Sequence, residues 1–441
     1  MNIRNVDMLK LENKQNNIIK LLFWLLIIGM PLHTMLVDKI IGNLAFSFGG
    51  LINLWRDAII FFLLIYAVWS QWGQRLSRMG VVILCVIGMI CLFWLFSGAP
   101  FLLKTNILRI YAIPMLMFFV MQRFYMDETM YNKLLLVLFV QGVGLALFGL
   151  FQVFILGKEF LTEIGYGEAG ALHHSFYIGG WRGFQRMVST FASPNNCGLY
   201  LTQLFTICWV NKDRLNKYRK WTGAGFLVML IGIIATFSRS AWVSLFVVVA
   251  LYFIIHEKNK KRLLNWRNGA LVAGVLLVLW LLDLVLLNSR MTKMILSSIM
   301  GVVTGSDASF MKHLEDLVSP LTNILRNPLG YGFGTSGPIA LNVLGEGTRL
   351  VESSLWLVGY DMGIPGLILY FTPYLRMTFG IANKKDTYRR TAAYLTLATM
   401  VIFCILPLYQ NVDSTFLVFT FMGIARNPRL SAAAQESAAA Q

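Results

Sequence analysis

Two arginines precede an apolar segment whose first residues are typical of the start of a helix. Arg182 and Arg186 lie on either side of Phe184, a few residues before Ser193-Pro194. Serine is a favoured N-cap and proline a favoured first helical residue, so this pattern predicts a helix that begins here. Guanidinium groups beside a helix N-terminus are suited to binding an anion. We therefore interpret these two arginines and Asn195 as a candidate anion-binding site.

A third arginine lies in a short turn between two other apolar segments. The sequence of this turn is Thr236-Phe237-Ser238-Arg239-Ser240. Ser238 is placed to cap the following helix, whose positive end adds to the charge of Arg239. The turn predicts a second anion-binding arginine. The alternative is a cation at the membrane boundary whose side chain extends to the headgroups.

Glu352 is the acidic residue best placed for proton transfer, because it is the first residue of the apolar segment 352–372, which begins Glu352-Ser353-Ser354-Leu355. A carboxylate at this position could act as a general base or position a hydroxyl group. It could equally complement the dipole of the helix that it precedes. The sequence leaves these two roles open.

The elements that must position these residues are membrane-spanning helices. The chain has 441 residues, of which 57% are hydrophobic and 13% charged, and this composition is typical of a polytopic membrane protein. About 20 apolar residues are needed to cross a bilayer as a helix. Twelve segments are candidates for such helices, the last of them short: 18–36, 53–70, 79–97, 105–122, 131–156, 190–210, 219–237, 239–256, 268–287, 352–372, 391–409 and 413–425. The fold class is therefore predicted to be all-α.

The basic residues predict the orientation of these helices. The chain carries 38 Lys and Arg residues and a net charge of +17. Most of them fall in the N-terminus, the C-terminus and the short alternate loops, which places both termini in the cytoplasm and argues against nucleic acid as a partner. The two long loops, 157–189 and 288–350, the latter between helices 9 and 10, then face outward and are expected to cover the active site. We treat 1–430 as one transmembrane domain and exclude the low-complexity tail 431–441.

Charged residues in or beside a span are costly, about 2.5–3.5 kcal/mol for Arg at a helix centre, and so are candidates for function. Arg56 is followed by Asp57, with which it could form a local ion pair instead. The histidines and the five cysteines show no metal-ligand spacing, so no metal site is predicted. The further substrate-binding candidates on the outer side are Arg56, Arg109, Arg326 and Arg349.

Four of these stretches, in this order, resemble the bacterial O-antigen ligase and O-antigen polymerase superfamily. Arg186 with Ser189-Thr190-Phe191-Ala192-Ser193-Pro194-Asn195 is similar to the R-x-x-G-T-F-x-x-P-N signature of that family. The turn at Arg239 resembles its second arginine motif. Residues 327–334 resemble its N-P-x-x-G-x-G-x-G loop, and residues 352–367 its last motif. The resemblance is strongest over residues 180–370.

This resemblance implies an inner-membrane glycosyltransferase with a GT-C-like fold of about 12 helices and no metal or other cofactor. The implied donor is an undecaprenyl-pyrophosphate-linked glycan, and the acceptor is another glycan. Arg186 and Arg239 would bind the pyrophosphate during inversion at the sugar, Glu352 would act on the acceptor hydroxyl, and Tyr331 could stack on a sugar. Chain-length regulators and flippases are the protein partners that this function implies.

Three alternatives remain at this point. Ligases carry a histidine in the region where this chain has Glu352, a difference that favours a polymerase of repeat units over a ligase. A ligase would transfer one finished glycan to a lipid or protein acceptor. A flippase or secondary transporter is also compatible with twelve spans, although the two halves of the chain show no repeat. A scaffold of an envelope-assembly complex would need neither Arg186 nor Arg239.

Overall fold

The computed structural model is a bundle of helices with one small hairpin. It describes residues 17–41, 53–70, 76–166, 172–178, 181–215, 219–256, 319–351, 353–383, 386–408 and 412–430, together with residues 293, 296, 300 and 304. The helices before the hairpin are α1 (Asn17–Leu32), α2 (Thr34–Ile41), α3 (Trp55–Ser70), α4 (Arg78–Phe96), α5 (Phe101–Arg123), α6 (Glu128–Phe151) and α7 (Gly157–Glu163). A π-helical turn, Gln152–Leu156, joins α6 to α7.

The hairpin consists of β1 (Tyr177–Ile178) and β2 (Trp181–Gln185), which pair antiparallel. The helices that follow it are α8 (Pro194–Val210), α9 (Lys212–Leu215), α10 (Arg219–Ala235), α11 (Arg239–His256), α12 (Gly337–Leu344), α13 (Ser354–Thr378), α14 (Thr387–Ile405) and α15 (Val412–Ile424). Residues 319–326 are also helical. The prediction of an all-α chain therefore holds for the spans but not for the loop that contains this hairpin.

Eleven of the twelve predicted spans coincide with helices, and the predicted span 268–287 lies outside the described residues. Within the described part of the chain, five helices could cross a membrane by length and composition, or six if the bent pair α1 and α2 counts as one span. This bend is 64° and lies at His33. The protein is thus an integral membrane protein with a helical fold, while the number of twelve spans stays a prediction.

The two ends of the bundle can be identified from α8. Its first residues lie beside the turn at Thr236, because a side chain at Gly198 would meet the Thr236 and Ser238 side chains at 3.0–3.1 Å. Its last turn is followed by Asn211, which accepts a hydrogen bond from the Tyr131 hydroxyl. A helix of this length spans about 25 Å. The turn at Arg239 and the start of α6 therefore lie at opposite ends.

The predicted outer loop 157–189 folds as a small unit on the first of these two ends. Its own apolar core includes Leu161, Tyr166, Phe176 and Val188, all buried. The backbone N–H of Arg186 donates to the carbonyl of Phe176, which joins β2 to this core. This packing fixes the position of Arg186 relative to the helices below it.

Candidate anion-binding site

Arg186 directly follows β2, and its side chain lies along the turn that precedes α11. Its Nε donates to the carbonyl of Thr236 at 2.9 Å, and Nη2 donates to the carbonyl of Phe237 at 3.2 Å. Nη2 also donates to Oδ1 of Asn195 at 2.9 Å, and Nη1 to the carbonyl of Ser175 at 2.9 Å. The guanidinium thus joins the hairpin loop, the start of α8 and the start of α11.

The turn before α11 presents these carbonyls in an uncommon backbone conformation. Phe237 has φ of +50°, in the left-handed region that non-glycine residues rarely adopt. Among the residues that the structure describes, Ser189 is the other non-glycine residue with positive φ, at +56°. Both lie within a few residues of the arginines of the site. Strained backbone of this kind persists only where the surroundings hold it, and it is concentrated at functional sites.

The side chain of Gln152 forms hydrogen bonds with the backbone of Ser189. Its Oε1 accepts from the N–H of Ser189 at 2.9 Å, and its Nε2 donates to the carbonyl of the same residue at 3.3 Å. The Ser189 hydroxyl in turn donates to the carbonyl of Leu145. Sequence reasoning missed this residue, although a single amide in the apolar run 147–156 is a visible signal.

Arg239 is the first residue of α11, and its side chain is exposed. Ser238 and Ser240 are its two neighbours in the sequence, and their Oγ atoms lie 3.1 Å apart. Burial and the nearby positive charge of Arg239 lower the pKa of Arg186 to about 10. Arg186 therefore lies close enough to Arg239 for the two charges to influence each other, and it still stays protonated at neutral pH.

The start of α8 adds a helix N-terminus to the same site. The hydroxyl of Ser193 accepts from the N–H of Asn196 at 3.3 Å, as the predicted N-cap should. Asn195, in the first turn, accepts from Arg186. The Arg186 guanidinium thus lies where the starts of α8 and α11 meet, and helix N-termini with a guanidinium beside them are suited to binding a phosphate or pyrophosphate group.

Two of the predicted site residues cannot be placed fully. Glu352 lies outside the described residues, and Arg182 belongs to β2 but its side chain lies outside them. Their roles stay predictions. Ser353, the neighbour of Glu352, is buried, and its hydroxyl donates to the carbonyl of Phe403 near the end of α14.

The glycine loop 327–337 packs against a break in α13. Gly363 interrupts that helix with φ of +63° and ψ of −157°. The N–H of Tyr331 donates to the carbonyl of Tyr360 at 2.7 Å, and the N–H of Ile364 donates to the carbonyl of Pro328 at 2.8 Å. The loop therefore supplies partners for backbone groups that the break leaves without intrahelical bonds.

Asp361 anchors the same loop from inside α13. It is fully buried and accepts from the hydroxyl of Tyr111 at 3.1 Å and from the N–H of Gly334 at 3.2 Å. Sequence reasoning also missed this residue, which is the one acidic residue in the sequence of α13. Its burial with two donors indicates a role in fixing the glycine loop.

The ring of Tyr331 contacts Tyr360 and Arg349, and its stacking on a sugar stays a prediction. One face of its ring is stacked on Tyr360 with centroids 5.1 Å apart, and the guanidinium carbon of Arg349 lies 3.9 Å from its centroid. The described side chains thus already provide the ring with stacking partners. Arg326 lies exposed at the end of the helical residues 319–326.

Arg56 and Arg109 are both paired with carboxylates. Arg56 Nη1 lies 3.1 Å from Oδ1 of Asp413 at the start of α15, with both side chains buried. Arg109 Nε lies 3.2 Å from Oδ2 of Asp57. The suggested local pair between Arg56 and its neighbour Asp57 is therefore wrong, because each of these two residues pairs across helices instead. Substrate binding by the two arginines stays a prediction.

An apolar groove of about 630 Å³ has Thr190, four residues after Arg186, in its lining. It lies between α1, α2 and α6, and its lining includes Ile28, Gly144, Phe148 and Thr190. Thr190 belongs to the Ser189-Thr190-Phe191 motif, and its hydroxyl donates to the carbonyl of Pro31. The groove thus connects the lipid-facing surface to the segment that carries Arg186.

Residues 224–371 match the family model of the O-antigen ligases. The matched region contains the turn at Arg239, the glycine loop and the break in α13, whereas Arg186 lies before it. No curated protein is significantly similar to the chain. The match indicates a membrane enzyme of the glycosyltransferase type that handles lipid-linked glycans. This match, over about a third of the chain, supports the resemblance to the superfamily of O-antigen ligases and polymerases.

Proposed function

We propose that the protein polymerises undecaprenyl-pyrophosphate-linked oligosaccharide repeat units at the outer face of the bacterial plasma membrane. The observation that carries this proposal is the position of Arg186, which donates to Asn195 at the start of α8 and to the carbonyls of Thr236 and Phe237 just before Arg239. In this reaction a hydroxyl of the acceptor sugar attacks the anomeric carbon of the donor and inverts it. The bond from that carbon to the pyrophosphate breaks, and the polyprenyl pyrophosphate leaves.

The arginines act on the charge that develops on the leaving group. Arg239 is exposed and presents a guanidinium at a helix N-terminus, so it contacts the pyrophosphate directly. Arg186 holds the turn and adds a second positive charge. Preorganised charges of this kind stabilise the transition state without help from a metal ion. Glu352 accepts the proton of the attacking hydroxyl or positions it.

The groove beside α6 holds the first isoprene units of the carrier lipid. Its lining is apolar and it opens toward the lipid side, as a polyprenyl chain requires. Its inner end at Thr190 lies in the motif that begins with Arg186, so a pyrophosphate at the arginines and a chain in the groove can belong to one molecule. We further propose a GT-C-like arrangement of twelve spans with both termini in the cytoplasm.

The experiment is reconstitution of the purified protein with a lipid-linked repeat unit, followed by sizing of the product. A polymerase yields a ladder of lengths. Replacement Arg239→Lys keeps the charge but removes the planar fork, and we expect it to lower the rate of chain extension about 100-fold. Arg376→Lys is the matched control, because that arginine is exposed in the last turn of α13. Full extension by Arg239→Lys would refute the proposal.

A ligase is the second candidate, favoured by the description of the matching family as O-antigen ligases. A ligase transfers one finished glycan to a lipid or protein acceptor. Its product in the same assay is a single large transfer that requires this acceptor. A ladder formed without such an acceptor supports the polymerase, and a single transfer supports the ligase.

A further inference from the structure

Two cations converge on one aromatic ring at the end of the bundle that lies opposite Arg239. The guanidinium carbon of Arg429 lies 3.9 Å from the centroid of the Tyr125 ring. Nζ of Lys20 lies 5.6 Å from the same centroid. Tyr125 itself is 46% exposed. Its ring therefore forms an accessible surface on which two positive charges are held side by side.

Three separate parts of the chain build this location. The side-chain Nδ2 of Asn427 donates to the carbonyls of Met121 and Phe124 at 2.9 and 2.8 Å. These bonds join the segment after α15 to the end of α5. The rings of Phe23 and Phe124 lie 5.0 Å apart and join α1 to the same place. Buried contacts thus fix the backbone segments that carry Lys20 and Arg429 next to Tyr125.

Arg426 adds a further positive charge to the segment that carries Arg429. Burial and the neighbouring charge of Arg389 lower the pKa of Arg426, an effect that Asp386 opposes. The Nε of Arg426 is buried and has no hydrogen-bond partner in the described part of the chain.

Apolar surface continues from these cations along α1. Ile18, Leu21 and Leu25 are 60%, 66% and 50% exposed, at the spacing of one helix face. Such a face lies against lipid chains in a membrane. An anion held at Lys20 and Arg429 can therefore carry acyl chains that lie along α1. A soluble anion would make no use of this surface.

We propose that Lys20 and Arg429, together with Tyr125, bind the phosphate headgroup of an anionic phospholipid in the leaflet at this end of the helices. The predicted orientation makes this the cytoplasmic leaflet, where anionic lipids attract basic residues beside spans. The site is independent of the proposed glycosyl transfer, because α6, about 36 Å long, separates Tyr125 from the segment at Ser189.

Native mass spectrometry of the full-length protein in detergent micelles tests this site. Phosphatidylglycerol and phosphatidylcholine with identical acyl chains are titrated separately. We expect wild-type protein to retain phosphatidylglycerol with about 30-fold higher affinity than the double variant Lys20→Gln/Arg429→Gln, from about two basic contacts with the headgroup. Arg376→Gln, an exposed cation in the last turn of α13, is the matched control and should bind as the wild type does.

Three results would overturn the proposal. The first is equal retention of phosphatidylglycerol and phosphatidylcholine by the wild type. The second is wild-type binding of phosphatidylglycerol by the double variant. The third is displacement of the lipid by millimolar inorganic phosphate, which would indicate a site for a free anion. If the double variant folds poorly, Tyr125→Leu replaces it, because leucine keeps an apolar side chain at the centre of the site. A several-fold loss of affinity for phosphatidylglycerol in this variant supports the proposal.

Discussion

Replacement of each site arginine by lysine should separate the structural role of Arg186 from the substrate contact proposed for Arg239. The sequence alone assigns pyrophosphate binding to both. Arg186 donates four hydrogen bonds, three of them to backbone carbonyls and one to Asn195. A lysine has a single ammonium group at the end of a flexible chain and cannot reach acceptors that surround a planar fork. We expect Arg186→Lys to keep at most two of these bonds.

The expected loss of stability follows from this count. Hydrogen bonds from a charged donor contribute about 1.5–3 kcal/mol each, so the loss of two bonds costs about 3 kcal/mol or more. The turn would also lose the bond that holds the carbonyl of Phe237, whose backbone is strained. Arg239 is exposed at the start of α11, so Arg239→Lys should change the stability by less than about 0.5 kcal/mol.

The assay is thermal unfolding of the purified variants in detergent, measured beside their rates of chain extension. We expect Arg186→Lys to unfold at a clearly lower temperature and to lose activity. Arg239→Lys should unfold as the wild type does and still lose about 100-fold in rate. A wild-type unfolding temperature for Arg186→Lys would refute the hydrogen-bond argument, and wild-type activity for Arg239→Lys would refute direct contact with the substrate.

Three further predictions test the elements around the site. Gly363→Ala should lower the free energy of unfolding by about 2 kcal/mol or more, measured by thermal unfolding, because a Cβ there would lie 2.1 Å from the Pro328 carbonyl oxygen at a positive φ. Arg56→Ala should cost about 3–5 kcal/mol by leaving Asp413 buried and unpaired, and the double variant Arg56→Met/Asp413→Leu should recover most of this loss in the same assay. Gly144→Leu should raise KM for a polyprenyl donor in steady-state kinetics and leave KM for a short-chain donor unchanged, since Gly144 lines the groove and a Cβ there meets no atom within 4 Å.

Local sequence patterns predicted the helices and the starts of those that carry the site. Ser193 is the N-cap of α8, and α11 begins at Arg239 directly after Ser238, as their order in the sequence indicates. Periodicity and capping are properties of a few consecutive residues, so a single sequence contains them. The proximity of Arg186 and Arg239 was also expected, but from the resemblance to a family and not from spacing.

The contacts that hold the site could not be predicted in this way. Arg56 and Asp413 are 357 residues apart in the sequence, and Asp57 pairs with Arg109 instead of with its neighbour. No local pattern indicates which of several buried charges face each other, because that depends on how α3, α5 and α15 pack. The break at Gly363 is similar, since its backbone groups are satisfied by Pro328 and Tyr331 from another segment.

The hydrogen bonds of Arg186 also determine how it can contribute to catalysis. Four of the five N–H groups of the guanidinium are used within the protein, so a pyrophosphate can gain few direct bonds from it. Its charge acts without contact, however. A positive charge about 7 Å from a developing negative charge is worth about 2 kcal/mol at an effective dielectric constant of about 20. Arg186 can therefore fix the turn that carries Arg239 and still stabilise the leaving group by its charge. This explains why the site has a second arginine although only Arg239 is exposed.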